Sequence, residues 1–546
     1  MNNAKKVKVR VDAGKITGDL LHNWRYIGYD ECNYTHTPEG KELIGKFGKL
    51  EDAPYYIRTH HLFCTGNCHG RYKWGSTNVY TEDDKGNPVY DWKVLDEIND
   101  IIINNNCKPF FELGFMPLDL ADPSYSTSEY SWAKYGEYQR TGWNYPPKDY
   151  NKWYDLIYNV VKHCVDRYGR DEVLTWYWEL WNEPDITYWR GTLDEFLKLY
   201  DYTEAAVHAA LPEARLGGPA TTGPLPGSKS LDYLEKFLDH CRNGINYYSG
   251  KKGTRLDYVT FHVKGGGFTF KINAPKETPS VKHFVEQVEC GLDAVKKYGY
   301  EDLEIVLSEA DPDGWAAGGR FDNTNMNFRN TEYYATYVAS SYNKIFEIAR
   351  ERNMDVRPLA WAFLFPGERC FEGTRTFTTQ GIDKPVFNLF RMYAKLGNKS
   401  LPFESSQKKD VRLFKDKFGT GEEPELDGIA TVSDDGSIRI LLYSHHDDWD
   451  VKAKFDVEVV VENLPFHEAA IRQYYLDATH SNAYAEWVNQ GMPDWPSKEQ
   501  YDAIKSRDDL ELIEPLQAEQ TPDGKVIIKC SHEAHAVSLI MIEKKE

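Results

Sequence analysis

The sequence predicts an α/β protein in which a (β/α)8 TIM barrel precedes a smaller antiparallel β-sandwich. Between about residues 20 and 395, short apolar runs alternate with amphipathic helical patterns, and buried parallel strands are typically near-continuous apolar runs. After residue 396 many runs alternate between apolar and polar residues, which is typical of antiparallel strands with one solvated face. The chain of 546 residues is long enough for both units.

Eight apolar runs are the predicted barrel strands. They span residues 24–29, 55–63, 109–115, 175–181, 215–220, 256–263, 303–308 and 358–365. Strands that alternate with helices imply right-handed crossovers and a parallel sheet, and a chain of this length favours closure into a barrel. An open doubly wound sheet is the alternative, but no Gly-x-Gly-x-x-Gly motif follows the first run.

Helical periodicity is clearest over residues 153–168. There the apolar positions recur in alternating steps of three and one, and the pattern stops before Gly169. A less strict pattern covers residues 196–206, and a third covers 333–348. These three segments are predicted to be helices that pack on the barrel.

The C-terminal part of the chain carries hairpin and strand patterns. Runs at 428–433 and 437–443 flank Asp434-Asp435-Gly436, which predicts a hairpin. Further strands are predicted over 452–461, 525–529 and 537–542. An alternating valine pattern near residue 9 predicts that the N-terminal strand joins the sandwich. The predicted domains are therefore residues 1–19 (N-terminal strand), 20–395 (barrel) and 396–546 (sandwich).

Composition excludes several classes of protein. The net charge of −20 argues against nucleic-acid binding, and no apolar run approaches the ~18 residues of a membrane span. The N-terminus has no apolar segment of a signal peptide, so the sequence as written predicts a cytoplasmic protein. A secreted or periplasmic protein is expected if a signal peptide has been removed. Aromatic residues make up 14% of the chain, which suits either sugar binding or a large aromatic core.

Nine scattered cysteines are typical of reduced thiols rather than a disulfide framework. Cys64 and Cys68 are the closest pair, but further ligands at comparable spacing are lacking in the sequence. We therefore expect no metal site.

Two glutamates follow predicted strands. Glu183 comes just after the fourth strand and Glu309 just after the seventh. In a barrel these strand ends face each other across the mouth where catalytic groups lie. Such a pair suits glycoside hydrolysis, which needs one carboxylic acid and one ionised carboxylate. The alternative is that both are helix N-terminal carboxylates.

The residues around these glutamates resemble a known family. Asn182-Glu183-Pro184 with a later strand-end glutamate resembles clan A of the retaining glycoside hydrolases. The stretches 110–117, 167–176 and 216–219 resemble glycoside hydrolase family 39 more closely. The resemblance implies that Glu183 is the general acid/base, that Glu309 is the nucleophile and that Asn182 binds the sugar 2-hydroxyl. It implies no metal or organic cofactor. For Glu112, in the third strand, a structural role under the active site is expected.

Family 39 includes β-D-xylosidases and α-L-iduronidases, whose substrates differ by a carboxylate on C5. His262 and Lys264 end the sixth strand and face one side of it. They resemble the His-x-Lys-Gly of α-L-iduronidases, in which the lysine holds the uronate carboxylate. The alternatives for Lys264 are a solvated lysine at the rim and a charge partner of Glu309.

Other segments resemble iduronidases as well. His60 lies in an Arg-Thr-His segment whose histidine contacts substrate in that group, although it could instead be a buried, hydrogen-bonded histidine. Gly314 and Trp315 resemble residues whose backbone amides meet the carboxylate, in a segment that is one residue shorter here. Glu368 and Arg375 resemble sugar-binding residues, with ordinary surface charges as the alternative.

These patterns predict a retaining exo-glycosidase of family 39 that acts on a terminal α-L-iduronide or related uronide in an oligosaccharide or small glycoside. A β-D-xylosidase or α-L-arabinosidase of the same family is the alternative. A non-catalytic sugar-binding barrel and a metal-dependent hydrolase are the hypotheses from other classes. The sequence leaves open whether the protein is a homo-oligomer.

Overall fold

The structure is a computed structural model, and the residues described are 4–29, 32–66, 68, 76–125, 142–269, 271–315, 317–362, 365, 367–414, 421–515, 517–522 and 524–545. Within these ranges the strands of one parallel sheet form a nearly closed barrel. Further antiparallel sheets form the second unit. The predicted fold class, a TIM barrel with an added sandwich, is confirmed.

We number the barrel strands first to eighth. They are Tyr26–Tyr29, Tyr55–Thr59, Cys107–Leu113, Tyr177–Leu180, Arg215–Thr221, Tyr258–Lys264, Glu304–Asp311 and, as an interrupted eighth strand, Asp355–Pro358 with Ala360–Trp361.

The eighth strand differs from the predicted run. Its first part pairs with the seventh strand, and its second part pairs with the first strand and so closes the ring. Pro358 has no backbone N–H to donate to a ladder, and the strand pattern breaks directly after it. Strand structure ends at Trp361; of the remaining predicted residues, 363 and 364 lie outside the described residues.

Aromatic rings fill the inside of the barrel. Tyr26, Phe110, Tyr177, Tyr258 and Trp361 form one buried cluster there, where barrels more often carry branched aliphatic residues. A glycine in the first strand makes room for this filling, since a Cβ at that position would lie 2.2 Å from the indole of Trp361. The aromatic excess in the composition therefore reflects, at least in part, a large aromatic core.

Helices surround the barrel. Their bounds are Pro38–Phe47, Lys93–Asn104, Tyr150–Tyr168, Arg170–Val173, Leu193–Ala210, Lys229–Asn243, Val281–Lys297, Glu332–Arg352 and Pro385–Ala394. All three predicted helical segments lie within helices of this set. The helix Tyr150–Tyr168 begins after Asp149, whose carboxylate caps two backbone N–H groups, and ends at Gly169 with φ of +86°.

Two sheets, antiparallel except for one pair of strands in the first, make the second unit. The first contains Phe403–Ser405, Lys5–Asp12, Lys454–Glu462, Val526–Glu533 and Gln517–Gln520, in this order. The second contains Gly18–Asp19, Lys399–Leu401, Glu425–Val432, Ile438–His445, Ala536–Lys544, Ala469–Leu476 and Glu511–Ile513. The N-terminal strand Lys5–Asp12 pairs in parallel with Lys454–Glu462. Two small two-stranded sheets pair Tyr80–Glu82 with Pro88–Tyr90 and Thr378–Thr379 with Ile382–Asp383.

A helical insertion, which the sequence patterns did not predict, interrupts the second sheet. Its helices are Ala483–Asn489 and Lys498–Lys505. It packs on the loop after the eighth barrel strand, where the rings of Trp487 and Phe371 lie 5.2 Å apart. The second unit therefore reaches the barrel face that carries the strand ends. Of the described helices, none is both long and apolar enough to cross a membrane.

Candidate active site

Glu183 follows the fourth barrel strand in a left-handed conformation. Its φ is +45°, which costs a non-glycine residue about 1–3 kcal/mol and occurs often at functional sites. Its backbone N–H donates to the carbonyl of Ala220 at 2.8 Å, and its Oε1 lies 2.9 Å from Nδ1 of His262. Burial, followed by the nearby charge of Glu309, raises the pKa of Glu183 well above its usual value. Glu183 is therefore suited to hold a proton at neutral pH.

Glu309, near the end of the seventh strand, has the opposite electrostatic environment. Its Oε2 lies 2.7 Å from Nζ of Lys264, and its Oε1 lies 3.6 Å from a guanidinium nitrogen of Arg58. Burial opposes ionisation of this carboxyl, but the positive charges of Lys264 and Arg58 outweigh it and lower the pKa of Glu309. Glu309 is therefore ionised at neutral pH.

The two glutamates lie close enough to act on one bond. A carboxylate oxygen of each and a ring nitrogen of His262 all lie within 4.8 Å of one another. Retaining glycosidases place their carboxyl groups about 5–5.5 Å apart, whereas inverting enzymes leave about 6.5–9.5 Å for a water. One protonated and one ionised carboxyl at this separation fit an acid and a nucleophile.

The same three side chains could offer their atoms to a metal ion. The surrounding charges disfavour that use. Nζ of Lys264 lies 2.7 Å from Glu309 and would repel a second cation, and the raised pKa of Glu183 favours its neutral form. The donor set therefore suits proton transfer and nucleophilic attack better than metal binding.

The sixth strand brings His262 and Lys264 to Glu309. A register shift after Phe261 places His262 beside Glu309 and Lys264 beside Asp311 on the seventh strand. Burial lowers the pKa of His262 to about 4, so its ring is neutral at neutral pH. Its Nδ1 lies 2.9 Å from Glu183 and 3.7 Å from Glu309, so the ring spaces the two carboxyls.

Arg58, at the second strand, received no role from the sequence beyond its place in a motif. It is fully buried, and its guanidinium contacts Glu179 at 2.6 Å and Glu112 at 3.0 Å. It also donates to Oδ1 of Asn182 at 3.1 Å. Because this bond occupies the amide oxygen, it points the amide NH2 of Asn182 toward other acceptors, such as a sugar hydroxyl. The expected support role of Glu112 fits these contacts.

His60 lies at the edge of the same network. Its Nε2 is 3.3 Å from Oε2 of Glu112, and its ring packs edge-on against Trp361 at 5.3 Å. The side chain is buried. Its position fits both readings of the sequence, a buried hydrogen-bonded histidine and a histidine that contacts substrate.

Alternating charges continue below the glutamates. Nζ of Lys264 lies 2.5 Å from Asp311, whose carboxylate lies 3.2 Å from Arg375. Arg375 in turn lies 3.3 Å from Asp313, and Asp313 lies 2.6 Å from Arg329. Arg375 is only 1% exposed, so it is not an ordinary surface charge. In this structure it contacts Asp311, which in turn contacts Lys264.

The two amides expected to meet a carboxylate already have acceptors. The N–H of Gly314 donates to the carbonyl of Gly266 at 3.0 Å, and the N–H of Trp315 donates to Asp313 at 2.9 Å. In this structure both N–H groups are therefore paired within the protein, one with the loop after the sixth strand and one within the segment itself.

Glu368 lies on the long loop after the eighth strand. Its Oε2 accepts from the hydroxyl of Thr374 at 2.9 Å, and burial raises its pKa to about 8. Within the described ranges its hydrogen bonds are to this loop and not to the two glutamates. Glu368 instead lines a neighbouring cavity.

Sequence patterns assigned no role to the charged residues that hold the site together. These are Arg58, Asp311, Asp313 and Arg329. The first three lie at or just beyond the ends of barrel strands, a position that could have marked them. Arg329 precedes the helix Glu332–Arg352, and no local pattern distinguishes it.

A barrel with opposed carboxyls at its fourth and seventh strand ends is suited to glycoside hydrolysis. Residues 7–518 match glycosyl hydrolases family 39, and this chain belongs to that family. It is 27% identical to a β-xylosidase of Geobacillus stearothermophilus over 90% of this chain and 86% of that one. It is 25% identical to an α-L-iduronidase of Mus musculus over 92% of this chain and 75% of that one.

Solved structures show the same fold. A bacterial orthologue of human α-L-iduronidase superposes with a TM-score of 0.76 at 20% identity, over 100% of this chain and 84% of that one. A monomeric β-xylosidase from Caulobacter crescentus gives 0.75 at 19% identity, over 99% of this chain and 100% of that one. Membership of family 39 makes the chain a glycosidase with a carbohydrate substrate.

Proposed function

We propose that this glycosidase removes a terminal α-L-iduronide or related uronide with retention of configuration. Glu183 donates its proton to the glycosidic oxygen while Glu309 attacks the anomeric carbon, so the aglycone leaves as an alcohol and a glycosyl-enzyme ester forms. Water then attacks the same anomeric carbon and loses its proton to Glu183, while the bond from that carbon to Glu309 breaks and releases Glu309 as a carboxylate. The separation of Glu183 and Glu309, within 4.8 Å, is the observation that carries this mechanism.

The choice of a uronide as the substrate rests on Lys264. Burial disfavours its ammonium, but Asp311 and Glu309 outweigh burial and raise the pKa of Lys264. It therefore presents a positive charge beside the nucleophile, where the carboxylate of a bound uronide could share it. Asn182 and His60 are proposed to hold hydroxyls of the same ring.

A β-D-xylosidase, or an α-L-arabinosidase, is the second candidate, and specific contacts favour it. Lys264 already bonds Glu309 and Asp311, and the amides of Gly314 and Trp315 are occupied. A uronate carboxylate would have to compete for these groups, whereas a xyloside has no such charge. The two substrates share ring configuration from C1 to C4, so the same pair of glutamates serves both.

The deciding experiment compares kcat/KM for an aryl α-L-iduronide and an aryl β-D-xyloside under one set of conditions. We expect a preference of at least about tenfold for the iduronide, since one charge-assisted hydrogen bond contributes about 1.5–3 kcal/mol. The reverse preference would establish the second candidate. Turnover of neither would overturn both substrate assignments.

The stereochemical outcome is checked separately. Proton NMR of the first-formed sugar from whichever glycoside is cleaved should show the anomer of the substrate. Release of the opposite anomer would overturn the double displacement.

A further inference from the structure

A cavity of about 410 Å3 lies beside the loops that follow the first and eighth barrel strands. Loops at these positions belong to the catalytic face of a barrel. One wall comes from the start of the helix Pro38–Phe47, a second from residues 365, 367, 368 and 378–381, and a third from the helical insertion of the sandwich. Its volume falls within the roughly 300–1,000 Å3 typical of small-ligand sites.

The insertion contributes Trp495, which borders the cavity and is 64% exposed. Asp494, the residue before Trp495, is fixed by hydrogen bonds. The carbonyl of Asp494 accepts from the N–H of Cys370 at 2.9 Å and from Nε2 of Gln380 at 3.1 Å. The carboxylate of Asp494 also accepts from Arg320 at 2.9 Å. The indole is therefore presented by an anchored segment.

The remaining walls supply the polar groups that a sugar needs. Glu39, Glu42 and Glu368 line the cavity together with Gln380. Carboxylate oxygens accept hydrogen bonds from hydroxyl groups, while an aromatic face covers the apolar C–H face of a pyranose. Among the described lining residues there are three glutamates and no lysine or arginine. Because burial raises the pKa of Glu368 to about 8, the negative charge at neutral pH comes from Glu39 and Glu42, and it favours a neutral or amine-bearing ring over an anionic one.

We propose that this cavity is a second saccharide-binding site on the catalytic face, separate from the ring held between Glu183 and Glu309. Trp495 stacks on the ring, and Glu39 and Glu368 accept its hydroxyls. The sandwich domain thereby takes part in carbohydrate recognition through one loop. This proposal rests on the family's carbohydrate specificity, not on which glycone is cleaved.

The test is equilibrium binding of sugars to the full chain, by calorimetry or ligand-observed NMR. The probes are methyl β-xyloside, methyl β-glucoside, methyl β-glucuronide and N-acetylglucosamine. The variants are Trp495→Ala and Trp495→Phe, with Met492→Ala as the matched control, because Met492 is 51% exposed in the same segment. Turnover of an aryl monoglycoside by each variant reports on the catalytic site independently.

We expect Trp495→Ala to weaken binding of at least one neutral probe about tenfold, the scale of one aromatic stacking contact. Trp495→Phe should retain most of the affinity, and Met492→Ala all of it. The glucuronide should bind this site more weakly than the glucoside, and aryl-glycoside turnover should be unchanged in all variants. Equal affinities in wild type and Trp495→Ala, or binding of no neutral probe at about 10 mM, would overturn the proposal. A loss of turnover in Trp495→Ala would also overturn it, by assigning Trp495 to the catalytic site.

Discussion

Replacing Lys264 by methionine tests two roles of one side chain. The ammonium lies 2.7 Å from Glu309 and 2.5 Å from Asp311, and methionine keeps much of its volume without the charge. Because an opposite charge this close lowers a carboxyl pKa by about 1–3 units, we expect its loss to raise the pKa of Glu309 by about that amount. At about 1.36 kcal/mol per unit, the ionised nucleophile loses roughly 1.4–4 kcal/mol of stabilisation.

The assay is the pH profile of kcat/KM. Glu309 must be ionised and Glu183 protonated, so the profile is bell-shaped, and its two limbs report macroscopic values of the coupled pair. Removing the cation makes Glu309 harder to ionise, so the acidic limb of Lys264→Met should move to higher pH by about 1–3 units. This shift should occur with any substrate, since it belongs to the enzyme.

A second effect is specific to a uronide. If Lys264 also holds the substrate carboxylate, the variant loses a further ~1.5–3 kcal/mol with the iduronide alone, which is a factor of roughly 10–150 in kcat/KM. Lys276→Met is the control, since Lys276 pairs with Asp450 at 2.6 Å. This substitution should change neither the acidic limb nor the iduronide-to-xyloside ratio. An unmoved acidic limb in a folded Lys264→Met would refute the electrostatic argument, and an unchanged iduronide-to-xyloside ratio would refute the clamp.

Three further predictions follow from the same contacts. Glu183→Gln should lower kcat on glycosides with poor leaving groups by about 10²–10⁴, and much less on those with activated aryl leaving groups; equal losses on both would contradict its role as acid. Dialysis against a chelator should leave kcat/KM unchanged, because the charges around Glu183 and Glu309 disfavour a metal. A loss of activity that added metal restores would contradict this. Lys344→Met should reduce the free energy of unfolding by about 3–5 kcal/mol in urea denaturation, because Lys344 is buried 2.5 Å from Glu425 at the contact between barrel helix and sandwich. Lys408→Met is the control, because Lys408 is half-exposed and its substitution should reduce the free energy of unfolding by about 1 kcal/mol or less. Similar reductions for both lysines would contradict the argument.

Local patterns in the sequence were sufficient for the barrel. Buried parallel strands are apolar throughout and their helices are amphipathic, so both signals appear within a few residues. The helix over 153–168 could be placed to within a few residues because its apolar period is regular and Gly169 marks its end. The two glutamates followed from the same reasoning, since position after a barrel strand is itself a sequence property.

The helical insertion shows where such patterns fail. Its helices Ala483–Asn489 and Lys498–Lys505 are short and bury little. Isolated helices of this length are marginal in water, so their stability comes from packing on Phe371 and its neighbours. That contact joins Phe371 and Trp487, which are 116 positions apart in the chain, and no local period records it.

The sequence by itself determined the class of fold and the positions of the two carboxyls to which we assign the chemistry, because hydrophobic periodicity and strand-end position are local. Only the tertiary structure decided their protonation states, since these depend on burial and on charges from other strands. Lys264 illustrates the difference. The sequence placed it at the mouth of the barrel, but only the fold shows that it bridges Glu309 and Asp311, because an ion pair is set by distance in space rather than spacing along the chain.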